Sequence, residues 1–280
     1  MGGIFVLWED NYLAHYGIVK MRWGVRRFQN KDGSLTEEGR RRYGDVSKVE
    51  EKVRKKMSNR YSSFKRQPFD ISKIMDRGKI SESKAHECCD YADKLFKKAL
   101  KVEPIITKDV VSAVEKSGGS MYGLENRIKQ PTSIAAKIGQ DAREEDISVS
   151  QAAKEIKDVI RYTSITNDAK FVKSYRDVKA YLESEGYSEA TCKNYFTLYR
   201  DGKSRHKAVQ CIYLDPVGNR FELQFHTPAS QAAKELKIPI YEARRKSGLS
   251  KERQNELEKQ MTELAEQVSD PKGVFSIQSH

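Results

Sequence analysis

The residues best suited to chemistry lie on a short alternating segment in the last third of the chain. Glu222, Gln224 and His226 alternate with three apolar residues in the run FELQFH. Successive side chains of a β-strand point to opposite faces, so this spacing predicts one polar face and one apolar face. A face that offers a carboxylate, an amide and an imidazole can form the floor of an active site. The same pattern is also typical of a half-exposed sheet with no catalytic role.

A second carboxylate, Asp158, stands at the start of an apolar run. That run predicts a strand over residues 159–165. An acidic side chain at the mouth of a strand, close to bound phosphates, is a natural ligand for Mg²⁺. On this segment alone, a carboxylate at a strand start with no functional role is equally consistent with the sequence.

A basic segment precedes that carboxylate and indicates a second kind of site. Three basic residues surround Ser133, namely Arg127, Lys129 and Lys137. We expect Ser133 to be the N-cap of a helix that follows the extended turn imposed by Pro131. Backbone N–H groups at a helix N-terminus attract anions, and nearby cations strengthen that attraction. The segment therefore predicts a phosphate site, with a solvated charged surface as the alternative.

The elements that position these residues begin near residue 118, where short apolar runs start to alternate with helical patterns. Strands are expected over 159–165, 209–214 and 221–225, and the turn Asp215–Asn219 would join the last two as an antiparallel hairpin. A helix is expected over 171–184, and another from residue 231 with an interruption at Pro239. This order predicts an α+β domain with a mixed or antiparallel sheet flanked by helices.

The rest of the chain reads as helix and arm. We divide the whole chain into four parts: an N-terminal arm (1–45), a charged helical region (46–117) that we expect Pro104 to interrupt, the α+β domain (118–248), and a C-terminal helix and tail (249–280). The C-terminal helix carries a narrow apolar stripe, which is typical of a packing helix or an oligomer contact. The stripe consists of Leu257, Met261 and Leu264.

Composition limits the classes of partner. The net charge is +12, which favours polyanions such as nucleotides or RNA. No apolar run reaches membrane length, so no membrane partner is expected. The four cysteines show no CxxC or Cys/His spacing, so the sequence predicts neither a zinc site nor a disulfide framework, and a reducing interior is the simpler interpretation.

Taken in order, these segments resemble the RelA/SpoT-like nucleotide pyrophosphokinases. The family pattern has an RxKxxxSxxxK element, an aspartate that enters a strand, and a later ExQ(I/F)(R/H)T strand. All three occur here between roughly Tyr122 and Arg245. The runs FELQFHTP, AAKEL and IYEARR are most similar to the phage-associated and secreted ATP nucleotide 3′-pyrophosphokinases.

The resemblance implies Mg²⁺-dependent transfer of pyrophosphate from ATP to the 3′-hydroxyl of an acceptor nucleotide. Asp158 and Glu222 would hold the metal and act in catalysis, with Glu222 orienting or deprotonating the hydroxyl. The implied ATP-binding residues are Arg127, Lys129, Ser133, Lys137 and Arg161. The implied acceptor-binding residues are His206, Lys207, Gln210, Gln224 and His226.

The acceptor region departs from the family pattern. His206 stands where relatives have a tyrosine that stacks on the acceptor base, and the neighbouring glycines are replaced. A guanine nucleotide (GDP or GTP) and an adenine nucleotide therefore both stay open as acceptors. Two alternatives also remain: a toxin that modifies the 3′ end of tRNA, and a phage head-associated protein that keeps the fold without catalysis.

The segment from His15 to Arg27 resembles an N-terminal motif of bacteriophage head-associated proteins that reads HYGxxGMKWGxRR. This resemblance implies a phage or prophage origin and a phage structural partner bound through residues 12–30. An N-terminal arm that packs on its own domain is an equally open alternative. The expected location is the cytoplasm of the bacterial host, or the virion. There the enzyme would act as an alarmone synthetase or as a toxin.

Overall fold

A computed structural model describes residue 30 and residues 36–60, 64–244 and 248–280. The phage-type motif at 15–27, and almost all of the partner segment expected over 12–30, lies outside the described residues. The described chain divides into two compact units. The first unit contains residues up to 55 together with 198–207 and 228–269, and the second contains 56–197, 208–227 and 270–280. The four-part division expected from composition stays a prediction.

Helices and strands follow one another along the described chain in an α+β order. The helices are α1 (Glu37–Tyr43), α2 (Val46–Lys56), α3 (Ile71–Gly78), α4 (Glu82–Lys116), α5 (Pro131–Glu144), α6 (Val149–Glu155), α7 (Phe171–Ser184), α8 (Tyr195–Arg200), α9 (Pro228–Arg244) and α10 (Lys251–Glu266). The strands are β1 (Ser120–Met121), β2 (Arg161–Ile165), β3 (Ser188–Asn194), β4 (Val209–Leu214) and β5 (Arg220–His226).

The strands form one mixed sheet in the second unit, in the order β1-β2-β5-β4-β3. Strand β2 pairs with β5 in parallel, whereas the other pairs are antiparallel. Asp215 caps the turn between β4 and β5 by accepting from the N–H groups of Val217 and Asn219. The predicted α+β fold with a mixed sheet, and the predicted hairpin, are confirmed.

The apolar face of β5 packs against the long helices of the second unit. Phe221 and Leu223 are fully buried, and Phe225 is nearly so. The ring of Tyr175 in α7 contacts the ring of Phe225 edge-on at 5.2 Å between centroids. On the neighbouring strand, the hydroxyl of Tyr162 lies 2.6 Å from Thr107 Oγ1 in α4. This packing fixes which face of β5 stays polar.

Two prolines do not break helices as the sequence predicted. Pro104 lies inside α4 and Pro239 lies inside α9. Pro104 is exposed, and so is Leu100, whose carbonyl loses its helical donor to the proline ring. A carbonyl on the solvent side can be hydrated, which lowers the penalty of the proline. The helix predicted over 171–184 is confirmed as α7.

In the first unit, α9 and α10 pack against each other. Leu257, Met261 and Leu264 are at most 8% exposed, so the apolar stripe of α10 is buried within its own chain. An oligomer contact through this helix stays a prediction and would require a different face of α10. Among the described helices, none has a stretch long and apolar enough to span a membrane.

The phenylalanines of the second unit allow a test of the buried apolar face. We expect Phe221→Ala to lower the free energy of unfolding by about 3–5 kcal/mol, because it removes a fully buried ring at the centre of the sheet. Phe275→Ala is the control, since that ring is 41% exposed; it should cost less than about 1 kcal/mol. Urea unfolding measures both, and equal losses would contradict the packing described.

Candidate functional site

The parallel pairing of β2 with β5 places the two predicted carboxylates at the same end of these strands. Arg161 lies opposite Glu222 in the register, and the Glu222 N–H donates to the carbonyl of Ile160 at 2.9 Å. Asp158 precedes Ile160 by two residues. The strand pairing therefore brings together segments that are more than 60 residues apart in the sequence.

A short backbone bridge adds the basic segment to that strand end. Ile128 lies opposite Ile160 in an antiparallel bridge, and the Lys129 N–H donates to the carbonyl of Val159 at 2.8 Å. The side chain of Lys129 then reaches Asp158, with 2.7 Å between Nζ and Oδ2. Both side chains are mostly buried, at 11% and 20% exposure.

Asp158 is a charged carboxylate with one oxygen still available. Burial raises its pKa, but the charges of Lys129, Lys137 and Arg161 outweigh burial and hold the pKa below its ordinary value. Lys129 occupies Oδ2, whereas Oδ1 is buried and has no hydrogen-bond partner among the described residues. A buried carboxylate oxygen without a donor is costly unless a cation or a ligand reaches it.

Glu222 is held from both sides by amides. Gln224 donates to Oε1 and Gln210 donates to Oε2 of its carboxylate, which is nearly buried. Gln210 lies opposite Gln224 on β4, so the two amides share the polar face of β5. His226 Nε2 lies 3.3 Å from Gln224 Oε1 and extends the row along the strand. The predicted polar face is confirmed, and its side chains hold the carboxylate in one orientation.

Arg161 and Lys137 supply further positive charge near Asp158. Arg161 is half-buried, and its backbone N–H is used in the bridge to Arg127, whereas its guanidinium has no internal salt bridge among the described residues. Lys137 is 39% exposed and lies 3.6 Å from Asp141. Both side chains are therefore accessible to an anionic ligand.

The predicted helix N-cap is wrong in its residue. Helix α5 begins at Pro131, so Gln130 is the N-cap, and it makes no side-chain capping bond. Ser133 is the third residue of the helix, and its N–H donates to the Gln130 carbonyl at 2.9 Å. Ser133 and Lys137 are four residues apart and share a face of the helix. Ser133 therefore lies within the first turn of α5 and not at its cap, and the phosphate site stays a prediction.

Arg127 is locked in the interior rather than open to a ligand. Its side chain is 3% exposed, and Nε lies 2.5 Å from Glu103 Oε1 in α4. Its Nη1 also donates to the carbonyl of Leu124 at 2.9 Å. A guanidinium in this position presents no open face for stacking on a base. Sequence pattern alone does not predict Glu103 as its partner, because the pair joins two separate elements.

The predicted acceptor residues fall into both units. Gln210, Gln224 and His226 line the sheet of the second unit, whereas His206 and Lys207 belong to the first. Lys207 is buried, and its Nζ donates to the carbonyl of Val268 at 2.7 Å. Burial, with the charges of Lys237 and Lys234, lowers the pKa of His206 to about 3. His206 is therefore neutral at physiological pH and offers a ring but no charge.

Tyr195 is a site residue that the sequence did not single out. Burial and then the negative charge of Glu222 raise the pKa of its hydroxyl, so it stays protonated near that carboxylate. Asn194 fixes the backbone that follows, because its Oδ1 accepts from the N–H groups of Phe196 and Thr197. The tyrosine lies at a strand-to-helix junction, where no repeating pattern could have indicated it.

No protein-family model matches the chain, and no curated protein matches it. Among solved structures, a chain from the crystal structure of the complex between the Type VI effector Tas1 and its immunity protein is similar to it. The two are 15% identical, the match covers 65% of this chain and 96% of that chain, and the TM-score is 0.37. At that TM-score the likeness carries no argument about fold or activity.

The two arginines of the site allow a matched test of their different surroundings. Arg127→Met leaves Glu103 buried without its cation, so the free energy of unfolding should fall by about 3–5 kcal/mol. Arg161→Met removes no internal salt bridge and should cost less than about 1 kcal/mol. Urea unfolding of both variants measures the difference. A stable Arg127→Met protein, or an equal loss in both, would contradict the assignment of Arg127 to the interior.

Proposed function

We propose that the second unit transfers pyrophosphate from ATP to the 3′-hydroxyl of an acceptor nucleotide. The observation that carries the proposal is the pair of carboxylates at the shared end of β2 and β5. Glu222 is oriented there by two amides, and Asp158 keeps an unpaired buried oxygen among three cations. The ordered motifs that resemble the RelA/SpoT-like family support the same reaction.

The triphosphate of ATP would lie against the basic side of this site. Arg161 and Lys137 carry accessible positive charge, and Ser133 adds a hydroxyl in the first turn of α5. Lys129 is paired with Asp158, so it would hold that carboxylate in place while its own charge still acts on nearby phosphates. Guanidinium planes stack on aromatic bases, and Arg161 is the arginine free to do so.

The two carboxylates fit a divalent cation. The unpaired Oδ1 of Asp158 is a donor that the protein itself does not satisfy, and Glu222 adds a second hard oxygen ligand. Bound by these residues, Mg²⁺ would offset the negative charge that builds up on the transferring phosphates.

Glu222 would act on the acceptor hydroxyl. Its oxygens accept from Gln210 and Gln224, and an ionised carboxylate has lone pairs left for another donor. In the transfer, the 3′-oxygen bonds to the β-phosphorus of ATP, the bond between that phosphorus and the α,β-bridging oxygen breaks, and AMP leaves. The hydroxyl proton goes to Glu222, which is general-base work. His226, which lies beside Gln224 Oε1, would keep the amide nitrogen of Gln224 directed at Glu222.

Arg127 has a different role in this proposal from the one its motif implies. It supports the bridge segment from the interior, because its guanidinium is paired with Glu103 and its carbonyl accepts from the Arg161 N–H at 2.8 Å. The motif position is therefore kept for geometry, and the adenine contact passes to Arg161.

A small-nucleotide acceptor is favoured over tRNA by the charges of the loop at 200–207. Arg205 pairs with Glu258 at 2.6 Å, Arg200 pairs with Asp201, and the Lys207 ammonium is buried. These internal partners reduce the positive charge that the loop could offer to an RNA backbone. The acceptor roles expected for His206 and Lys207 stay predictions. The location in a bacterial host or virion, and a phage partner, also remain proposals.

The decisive variant for this proposal is Glu222→Gln. It keeps the shape of the side chain but removes the base and a metal ligand, so transfer should fall by at least about 100-fold. The assay incubates the protein with γ-labelled ATP, Mg²⁺ and one acceptor at a time: GDP, GTP, AMP, ATP or tRNA. Labelled acceptor is separated and counted.

Glu125→Gln is the matched control, because it makes the same chemical change at an exposed position of the same unit. It should leave transfer unchanged, and circular dichroism should show both variants folded. A folded native protein that labels none of the acceptors would instead indicate a binding protein without catalysis. Labelling of tRNA alone would replace the nucleotide acceptor in the proposal.

A further inference from the structure

A second cluster of ligand-type side chains lies on the opposite face of the sheet from Glu222. Glu189, Cys192 and Cys211 each offer one ligand atom, and these three atoms lie within 4.8 Å of one another. Such a spacing among the described residues could hold a metal ion. The two cysteines are fully buried and the Glu189 side chain is 1% exposed. None of these residues belongs to the site proposed above.

The fold brings the three side chains together through strand pairing and a bulge. Cys192 on β3 lies directly opposite Cys211 on β4. The register shifts between Glu189 and Thr191, and this irregularity turns Glu189 to the same face as the cysteines, opposite Tyr213. Without the shift, strict alternation would place Glu189 on the other face. The separation of the two cysteines in the sequence explains why ligand spacing did not indicate this site.

We propose that Glu189, Cys192 and Cys211 bind a divalent metal ion of the zinc type. Two thiolates and a carboxylate are a ligand set that borderline-soft ions such as Zn²⁺ accept, whereas Mg²⁺ prefers oxygen ligands alone. The ligand atoms lie within 4.8 Å of one another. Zinc–ligand bonds of about 2.0–2.3 Å place neighbouring donors less than about 4 Å apart, so a bound ion would draw the three side chains slightly together.

Charge balance permits the ion in so buried a place. Binding releases one proton from each thiol to solvent and involves no oxidation or reduction, so the two charges of the ion replace the two protons lost. The remaining charge of Glu189 is already balanced by Lys179, whose Nζ lies 2.8 Å from Oε1.

The hydrogen bonds to the Glu189 carboxylate include two short ones and one long one that a metal ion could replace. Lys179 and Tyr213 each donate to the carboxylate at 2.8 Å. Tyr175 shares its hydroxyl between both oxygens at 3.1 and 3.2 Å and also lies 3.6 Å from Cys192 Sγ. These distances exceed those of an ordinary O–H···O bond, so an ion can displace Tyr175 while the two firm donors keep Glu189 oriented.

The C-terminal segment lies beside the cluster. The His280 N–H donates to the carbonyl of Cys192 at 2.9 Å, and the Cys192 N–H donates to the carbonyl of His280 at 3.0 Å. The imidazole Nε2 of His280 lies 3.6 Å from Glu189 Oε1. The fourth position of a tetrahedral ion would be filled by this imidazole or by water. The ion would tie edge strand β3 to β4 and to residue 280.

Cobalt substitution tests the site directly. The full chain is reduced, stripped of metal with a chelator and titrated with Co²⁺. We expect thiolate-to-cobalt absorption in the near ultraviolet and the visible bands of tetrahedral Co²⁺, saturating at one ion per chain and bleached by Zn²⁺. Cys192→Ser and Cys211→Ser should each lose the thiolate band or reduce it by half. Glu189→Gln, which keeps both thiols, should weaken Co²⁺ binding by about tenfold or more.

The matched control is the double variant Cys88→Ser/Cys89→Ser, which removes the other two buried cysteines and should leave the spectrum unchanged. Absorption typical of hydrated Co²⁺ only, or a thiolate band lost in the control instead, would overturn the proposal. The proposal would also be overturned if the reduced, folded protein bound no Co²⁺ and, on exposure to air, formed a Cys192–Cys211 disulfide. Transfer activity plays no part in these readouts, so they stand apart from the proposed function.

Discussion

The parallel pairing of β2 with β5 is the constraint on which the candidate site depends. It sets Arg161 opposite Glu222 and leaves Asp158 beside the same strand end. The antiparallel bridge at Ile128 then fixes Lys129 next to that carboxylate. Backbone hydrogen bonds, rather than contacts between the functional side chains, therefore bring the site together. Burial of the two carboxylates is unfavourable, and this penalty is offset because each carboxylate has a hydrogen-bond donor or a cation within reach.

The alternation of β5 connects that site to the core. Its apolar residues are buried, and Phe225 packs against Tyr175 of α7. A shift of the strand by one residue would therefore move Glu222, Gln224 and His226 to the apolar face. The same rule acts on β3 and β4, where the bulge after Glu189 adds a carboxylate to the cysteine pair. One sheet thus presents the carboxylate of Glu222 on one face and the cluster of Glu189, Cys192 and Cys211 on the other.

Local pattern was sufficient for the strands, the hairpin and the polar face, because each depends on a period of two and a turn signal. Local pattern did not predict features that depend on contacts between distant parts of the chain. Ser133 looked like an N-cap, but the helix starts at Pro131. Arg127 matched a ligand-binding motif, yet Glu103 from α4 holds it inside. Pairing of Cys192 with Cys211 follows from strand register, which spacing along the chain does not encode.

The measurement that tests the central claim most directly is ³¹P NMR of the protein incubated with ATP, Mg²⁺ and an acceptor nucleotide. The account predicts that ATP is converted to AMP while a new diphosphate signal appears on the acceptor, in equal amounts. Formation of ADP with transferred or free phosphate would show that the bond at the β-phosphorus is not the one broken. That result, or unchanged ATP with a folded protein, would contradict pyrophosphate transfer.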